Sequence, residues 1–179
     1  MTYVSFLLRS LLVALLLALP AVGWSEEIDR FIGSYVGEAE FEHDGEVQKR
    51  DLSVDIKKSE NGFVLKWMSV TYRSDGRSKE RTYTVEFLPS PRDHIYGSAM
   101  KSNLFGKSVP LNPLMGEPFV WARFEGDTLS VFSLFIDESG EYEIQEFHRT
   151  LVPEGLSLVF LRLRYDAVER EIRTILKRQ

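Results

Sequence analysis

The sequence contains no cysteine and only three histidines. The lack of cysteine excludes disulfides, thiol nucleophiles, cysteine-ligated zinc and iron–sulfur clusters. The histidines, His43, His94 and His148, are far apart, and no two of them have the i, i+2 or i, i+4 spacing that is typical of a metal site. The fold must therefore be held together by packing, and the sequence predicts neither a metal nor another cofactor.

Motifs of catalysis and of phosphate binding are also missing. There is no Gly-x-Ser-x-Gly nucleophile turn and no glycine-rich loop leading into a helix. His148 follows Glu146 by two residues, so on a strand the two side chains would share a side. They could form an acid–base or metal pair, or an ordinary polar pair. The sequence nominates no catalytic residue, which leaves an enzyme as the third functional alternative, behind the two given below.

The one long apolar segment is at the N-terminus. Residues 1–25 contain a single charge, Arg9, followed by the apolar run Leu11–Leu19 and then by proline and small residues. A signal peptide has this order of parts, whereas a membrane span needs about 20 apolar residues. We expect export to the periplasm with cleavage near Gly23–Ser25, which leaves no transmembrane segment in the mature form. An uncleaved N-terminal anchor is the alternative.

The remaining residues, 26–179, form a chain of 154 residues with a net charge of −6, because Arg9 is the only charge removed. This length suffices for one hydrophobic core and is short for two ordinary domains, so a single domain is expected. Proteins that bind nucleic acid electrostatically have a clustered basic excess. This chain has an acidic excess instead, and no nucleic-acid partner is expected.

Most of the chain alternates between apolar and polar residues with the period of a β-strand. Leu52–Ile56 is a clear example, and Asn61-Gly62 predicts a type I′ turn from that strand into the next. Similar segments, separated by turn residues, continue to the C-terminus. They predict an all-β fold: an antiparallel up-and-down β-barrel of about ten strands, preceded by a short helix over Ser25–Ile32. Val168–Lys177 could be an amphipathic helix, but its β-branched residues favour a strand.

Lys101–Pro118 interrupts this pattern. Its prolines cannot donate backbone hydrogen bonds to a sheet, so the segment is predicted to be a loop rather than a strand. It is too apolar for a solvated linker and is expected to lie across a surface or over an opening. Its central part, Leu104–Met115, could also be a contact site for a protein partner.

Gly33-Ser34-Tyr35 resembles the start of the first strand in the calycin superfamily, the lipocalin-like barrels. Members of that family carry Gly-x-Trp there, and a basic residue of the last strand packs over the aromatic ring; here these residues would be Tyr35 and either Arg173 or Arg178. The resemblance implies a barrel that binds small apolar molecules in its interior. Some members bind haem through a histidine of the last strands, but this chain has no histidine after His148. The chain also resembles short exported proteins of Gram-negative bacteria.

Basic side chains that share a strand face with apolar residues are candidates for ligand binding. Arg123 shares parity with Trp121, and Arg162 and Arg164 share parity with Phe160. If these faces point inward, each guanidinium needs a partner, because an unpaired buried charge is costly. The partner could be a ligand carboxylate or an internal glutamate, Glu125 or Glu146; alternatively, the arginines lie at strand ends in water. The abundant aromatic residues could line a cavity or fill a solid core. The candidate ligand-binding residues are Arg123, Arg162, Arg164, Trp121, Phe160, Trp67 and Tyr35.

Two functions of different classes remain. The first is a periplasmic binding protein that holds a small apolar or amphipathic acid inside the barrel, with Lys101–Pro118 as its lid. The alternative is a filled barrel without a ligand, which acts as a protein-interaction or envelope-assembly factor through Leu104–Met115.

Overall fold

A computed structural model describes residues 25–43, 45–73, 75–99, 101–102, 108–109, 111–165 and 167–179. The predicted signal peptide lies outside these residues, apart from Ser25. Within them, no helix has both the length and the apolar character needed to span a membrane. The helix α1 is Ser25–Asp29, and the strands are β1 Gly33–His43, β2 Glu46–Lys58, β3 Phe63–Tyr72, β4 Ser78–Pro89, β5 Ile95–Ser98, β6 Lys101–Ser102, β7 Ser108–Val109, β8 Phe119–Glu125, β9 Thr128–Ile136, β10 Tyr142–Val152, β11 Gly155–Arg164 and β12 Ala167–Arg178.

Ten of the strands form one closed antiparallel barrel in the order β1-β12-β11-β10-β9-β8-β5-β4-β3-β2. Strand β1 pairs with β2 on one side and closes the barrel against β12 on the other, where Tyr35 lies opposite Arg178. The predicted all-β barrel of about ten strands is therefore confirmed. The last segment is a strand, as its β-branched residues favoured. Strands β6 and β7 form a separate two-residue ladder, so the prediction that the segment contains no strand is wrong there.

The predicted hairpin around Asn61-Gly62 is present, but its turn type is not the one expected. Strands β2 and β3 are joined by Ser59–Gly62, and the Ser59 N–H donates to the Gly62 carbonyl oxygen at 3.0 Å. Neither Asn61 nor Gly62 has a positive φ, so this is not a type I′ turn. Glycine is needed at position 62 for a different reason: a Cβ there would lie 1.9 Å from the Phe87 carbonyl oxygen.

Helix α1 and the turn after it close one end of the barrel. Ile28 and Phe31 are buried, and the Phe31 ring meets Phe124 edge-on with 5.5 Å between the centroids. The Tyr35 hydroxyl donates to the Phe31 carbonyl oxygen at 2.9 Å. Arg178 lies over the Tyr35 ring, 5.7 Å from its centroid, and donates to the Ile32 carbonyl oxygen. Of the two basic residues that the family resemblance suggested, Arg178 is thus the one on the ring.

The interior is packed unevenly along the barrel axis. Near α1, a continuous cluster of buried side chains fills the lumen, in which the Phe63 ring contacts the rings of Phe87, Tyr96 and Phe124. A second, smaller cluster near the other end contains Phe41 and Phe160 among its members. The space between these clusters, and beyond the second one toward the end opposite α1, forms a cavity.

Candidate ligand-binding cavity

The barrel encloses a cavity of about 580 Å³. This volume lies within the range of about 300–1,000 Å³ that small-molecule sites occupy. The cavity extends from the middle of the lumen to the barrel end opposite α1, where the exposed residues Glu46, Asp75 and Lys79 line its mouth. Side chains of alternating strand residues form its apolar wall: Leu52, Trp67, Val85, Val120, Phe135, Phe147, Leu158, Phe160 and Ile172.

The charged side chains around the cavity are mostly basic. Of the acidic residues that the structure describes, Glu46 and Asp75 belong to the lining. Asp75 is engaged by Arg77, whose Nη2 lies 2.5 Å from its carboxylate, and Arg77 is not a lining residue. The described basic residues in the lining are Arg50, Arg73, Lys79, Arg81, Arg162 and Arg170. A chain with a net negative charge therefore concentrates positive charge at this opening.

Arg50 is the central group of this basic cluster. Its Nε donates to Thr71 Oγ1 at 2.9 Å, and its guanidinium lies 4.5 Å from the centroid of the Phe41 ring. Arg170 lies 5.1 Å from the same ring. Burial, together with the charges of Arg170, Arg162 and Arg81, lowers the pKa of Arg50 to about 10. In the described part of the chain, no carboxylate lies within ion-pair distance of Arg50.

Arg162 and Arg164 share a carboxylate. Glu143 is buried and lies 2.8 Å from Arg164 Nη2 and 3.2 Å from Arg162 Nε. Arg162 Nη1 also lies 3.7 Å from Glu169. The alignment at Arg162 Nε is too poor for a hydrogen bond, and this nitrogen has no other acceptor among the residues described. The charge of Arg162 is balanced within the protein, by glutamates other than the two that the sequence suggested.

Three of the seven candidate residues line the cavity, namely Trp67, Phe160 and Arg162. Arg164 lies two residues after Arg162 on the same face of β11. It is exposed at the barrel rim and is held by Glu143. Tyr35 is buried at the closed end beneath Arg178 and is not part of the lining.

Trp121 and Arg123 lie on the outer side of the barrel. The buried residues of β8 are Val120, Ala122 and Phe124, so the opposite parity faces outward. Trp121 stacks on Phe132 with 5.1 Å between the centroids, and Arg123 pairs with Glu125 at 2.6 Å. The apolar residues that suggested an inward face for Arg123 therefore belong to an external aromatic cluster.

Arg50, Phe41 and Arg170 are not among the candidate residues predicted from the sequence. Arg50 stands two residues before Leu52, on the buried parity of β2, and Arg170 stands two residues before the buried Ile172. The same parity rule that selected Arg162 would have selected both. Phe41 has an equivalent signal, because it continues the alternation that begins at Tyr35.

Arg149 is also absent from the predicted residues. It is a buried cation that does not line the cavity. It is 1 % exposed and lies opposite Leu129 and Leu158 in the neighbouring strands. Its Nη1 is 3.5 Å from the Phe147 carbonyl oxygen, its guanidinium lies 5.3 Å from the Phe147 ring centroid, and its Nε has no acceptor among the residues described. Burial lowers its pKa to about 9. Arg149 stands two residues after Phe147 on the same face of β10, so it lies inside the barrel next to the cavity, on the side toward α1.

No family model and no curated protein matches the chain. Among solved structures, it is similar to an S-type phycobiliprotein lyase, CPES from Guillardia theta. The two sequences are 9 % identical, the match covers 89 % of this chain and 94 % of that chain, and the TM-score is 0.35. A likeness of this degree supports no inference about function.

One other polar arrangement lies on the outer side of the barrel. His148 Nδ1 is 2.8 Å from Ser130 Oγ, and His148 Nε2 is 2.9 Å from Glu146 Oε2. The connectivity is that of a nucleophile, a base and an acid, but Ser130 is only 3 % exposed and its hydroxyl is covered. Within the described ranges, no three histidine or acidic side chains are grouped as a metal site would require. The cavity is therefore the strongest candidate site.

Proposed function

We propose that this protein is an exported, lipocalin-like barrel that binds one amphipathic acid in its lumen and works in the periplasm. The supporting observation for binding is the cavity itself: its walls are apolar, and it opens beneath a cluster of guanidinium groups in which Arg50 has no carboxylate partner in the described part of the chain. The signal-like segment of residues 1–25 supports export. N-terminal sequencing tests cleavage near Gly23–Ser25, and cell fractionation tests export. A chain that keeps residues 1–25 in the envelope fraction is the anchored alternative, whereas a chain in the cytoplasmic fraction contradicts export.

The two parts of the cavity suit the two parts of such a ligand. Each methylene group that leaves water for the apolar wall contributes about 0.8 kcal/mol. An acidic head at the mouth can accept charge-assisted hydrogen bonds from the guanidinium donors of Arg50 and Arg170. Contact with the Phe41 ring already restricts both of these side chains, so binding costs less conformational entropy than it would with free arginines.

Native mass spectrometry after gentle purification tests this proposal. We expect a retained lipid-like mass and, after delipidation, saturable binding of a fluorescent fatty acid. The R50Q variant should weaken that binding by roughly 10- to 100-fold, since a hydrogen bond to a charged group is worth about 1.5–3 kcal/mol. R123Q is the matched control, because Arg123 lies outside the barrel. An apo mass together with no fatty-acid binding contradicts the proposal.

A second candidate function has one specific observation in its favour. The single-turn helix Pro113–Met115 exposes Leu114 and Met115 to 78 % and 76 %. Large apolar side chains with this exposure are typical of contact surfaces. Much of Leu104–Met115 lies outside the described residues. If the double variant L114S/M115S loses a partner captured from envelope extracts but keeps fatty-acid binding, the segment is a protein contact site; an unchanged partner list excludes it.

A further inference from the structure

The arginines at the cavity mouth indicate which kind of anionic head group binds there. Resting on the proposed function, we propose that the head group bound at this mouth is doubly charged, of the phosphate monoester type, rather than a single carboxylate. The ligand class is then an alkyl or similar apolar chain with a terminal phosphate.

The balance of charges at the mouth is the first reason. The acidic side chains described there are engaged: Asp75 by Arg77, and Glu143 and Glu169 by Arg162, with Glu143 also bound to Arg164, while Glu46 has an interaction of its own. On the basic side, no ion pair to Arg50 or Arg81 exists among the described residues. One carboxylate would leave at least one of these charges uncompensated. A dianion neutralises two.

The arrangement of donors is the second reason. Arg50 and Arg170 both lie over Phe41, 4.5 Å and 5.1 Å from the ring centroid, so two guanidinium groups converge on one small region. A carboxylate has two oxygens, which match the fork of a single guanidinium. A phosphate monoester has three terminal oxygens and can bridge two guanidinium groups. Burial first, and then the charges of Arg170, Arg162 and Arg81, disfavour the charged form of Arg50, and an anion beside these groups reduces the part of the penalty that is due to their charges.

The proposal predicts a pH dependence that arises in the ligand. Carboxyl groups ordinarily titrate near 4 and guanidinium groups far above neutral pH, and none of the histidine side chains that the structure describes lines the cavity. A phosphate monoester loses its second proton near pH 6. Between about pH 5.5 and 8, a phosphate head group therefore changes charge. Histidine ordinarily titrates in this range too, and His43 lies opposite Glu46 at the end of β1, so dodecanoate binding over the same range measures any contribution of the protein. The charged groups that face Arg50 or border the mouth are Glu46, Arg73, Asp75, Lys79, Arg81, Glu143, Arg162, Arg164, Glu169 and Arg170.

Calorimetric titration of the delipidated protein with monododecyl phosphate and with dodecanoate tests the proposal. At about pH 8 the phosphate should bind at least roughly tenfold tighter than the carboxylate, and this advantage should shrink toward about pH 5.5, with dodecanoate, which keeps its charge, as the reference at each pH. R50Q and R170Q should each reduce the advantage, whereas R123Q should not. The pH profile of the unmodified protein provides the same test without any variant, should the variants fail to fold.

The contrary outcomes are separable. Equal affinity for the two probes, or a phosphate advantage that does not change with pH, overturns the doubly charged head while leaving the proposed function intact. Binding of neither probe overturns both. Inorganic phosphate should compete only at much higher concentration than monododecyl phosphate; equal competition would show that the site takes free phosphate and would overturn the amphiphile class.

Discussion

Arg149 places a positive charge inside the barrel without a compensating carboxylate in the described residues. Its only hydrogen bond there is the long one to the Phe147 carbonyl oxygen, and its Nε has no acceptor. A buried charge without a partner is strongly unfavourable, even when an aromatic ring lies beside it. The downward shift of its pKa to about 9 has the same cause, since burial penalises the charged form. Arg149 therefore reduces the stability of the empty barrel.

Replacing this residue with a neutral side chain of similar length should stabilise the protein. For R149M we expect the free energy of unfolding to rise by about 1–4 kcal/mol, the range seen when buried charges are replaced by apolar residues. Chemical denaturation measures this difference. R173M is the control, because Arg173 is exposed, and it should change the stability by less than about 0.5 kcal/mol.

The difference in the free energy of unfolding between R149M and the unmodified protein should decrease at high pH. Arg149 binds its proton less tightly in the folded protein than in the unfolded chain, because burial lowers its pKa well below the ordinary value of a guanidinium group. The penalty is therefore fully present below about pH 9 and is relieved as the pH rises from there. The advantage of R149M over the unmodified protein should shrink in that range. A destabilised R149M variant would show instead that the guanidinium is satisfied in the core.

At the level of the elements, the β2–β3 hairpin depends on how closely two backbones approach each other. The Phe87 carbonyl oxygen of β4 would be 1.9 Å from a Cβ at position 62, far inside van der Waals contact, and a backbone atom cannot move aside as a flexible side chain can. G62A should therefore lower the free energy of unfolding by about 1–3 kcal/mol, as overpacking does. Thermal or denaturant unfolding measures the loss.

Gly97 in β5 is a matched control for that substitution. It also lies in the barrel, but it has no atom within 4 Å of the Cβ position and no positive φ. G97A should leave the stability nearly unchanged. If G62A and G97A behave alike, the close approach of β4 is not what selects glycine in the hairpin.

The strands could be predicted from the sequence because alternation is a local property of each segment. Which side of a strand faces inward is not local, and the candidate site depended on it. In β11, Leu158 and Phe160 point inward and bring Arg162 to the cavity; in β8, Trp121 is equally apolar but packs outside on Phe132. Only the neighbouring strand distinguishes these cases. The cavity and its arginine cluster therefore required the register of the whole sheet.

The whole molecule combines a solid half and a hollow half within the same strands. Toward α1, β2 and β3 contribute Val54, Ile56, Phe63 and Leu65, all at most 3 % exposed. Toward the mouth, residues 46–50 and 69–72 of the same two strands surround the cavity and have no buried member. Packing energy is thus concentrated at one end of each strand, while the basic groups that would hold the head of a ligand lie at the other.

This difference in packing between the two ends of β2 and β3 predicts a gradient of local stability along each strand. In native-state hydrogen exchange, amides of residues 54–56 and 63–65 should exchange only through global unfolding, whereas those of residues 46–50 and 69–72 should exchange at least roughly tenfold faster through local opening. Saturation with monododecyl phosphate should slow exchange mainly at the mouth, because a ligand stabilises the state that it binds. Uniform protection along β2 and β3, or a ligand effect confined to the α1 end, would contradict both the gradient and the location of the binding site.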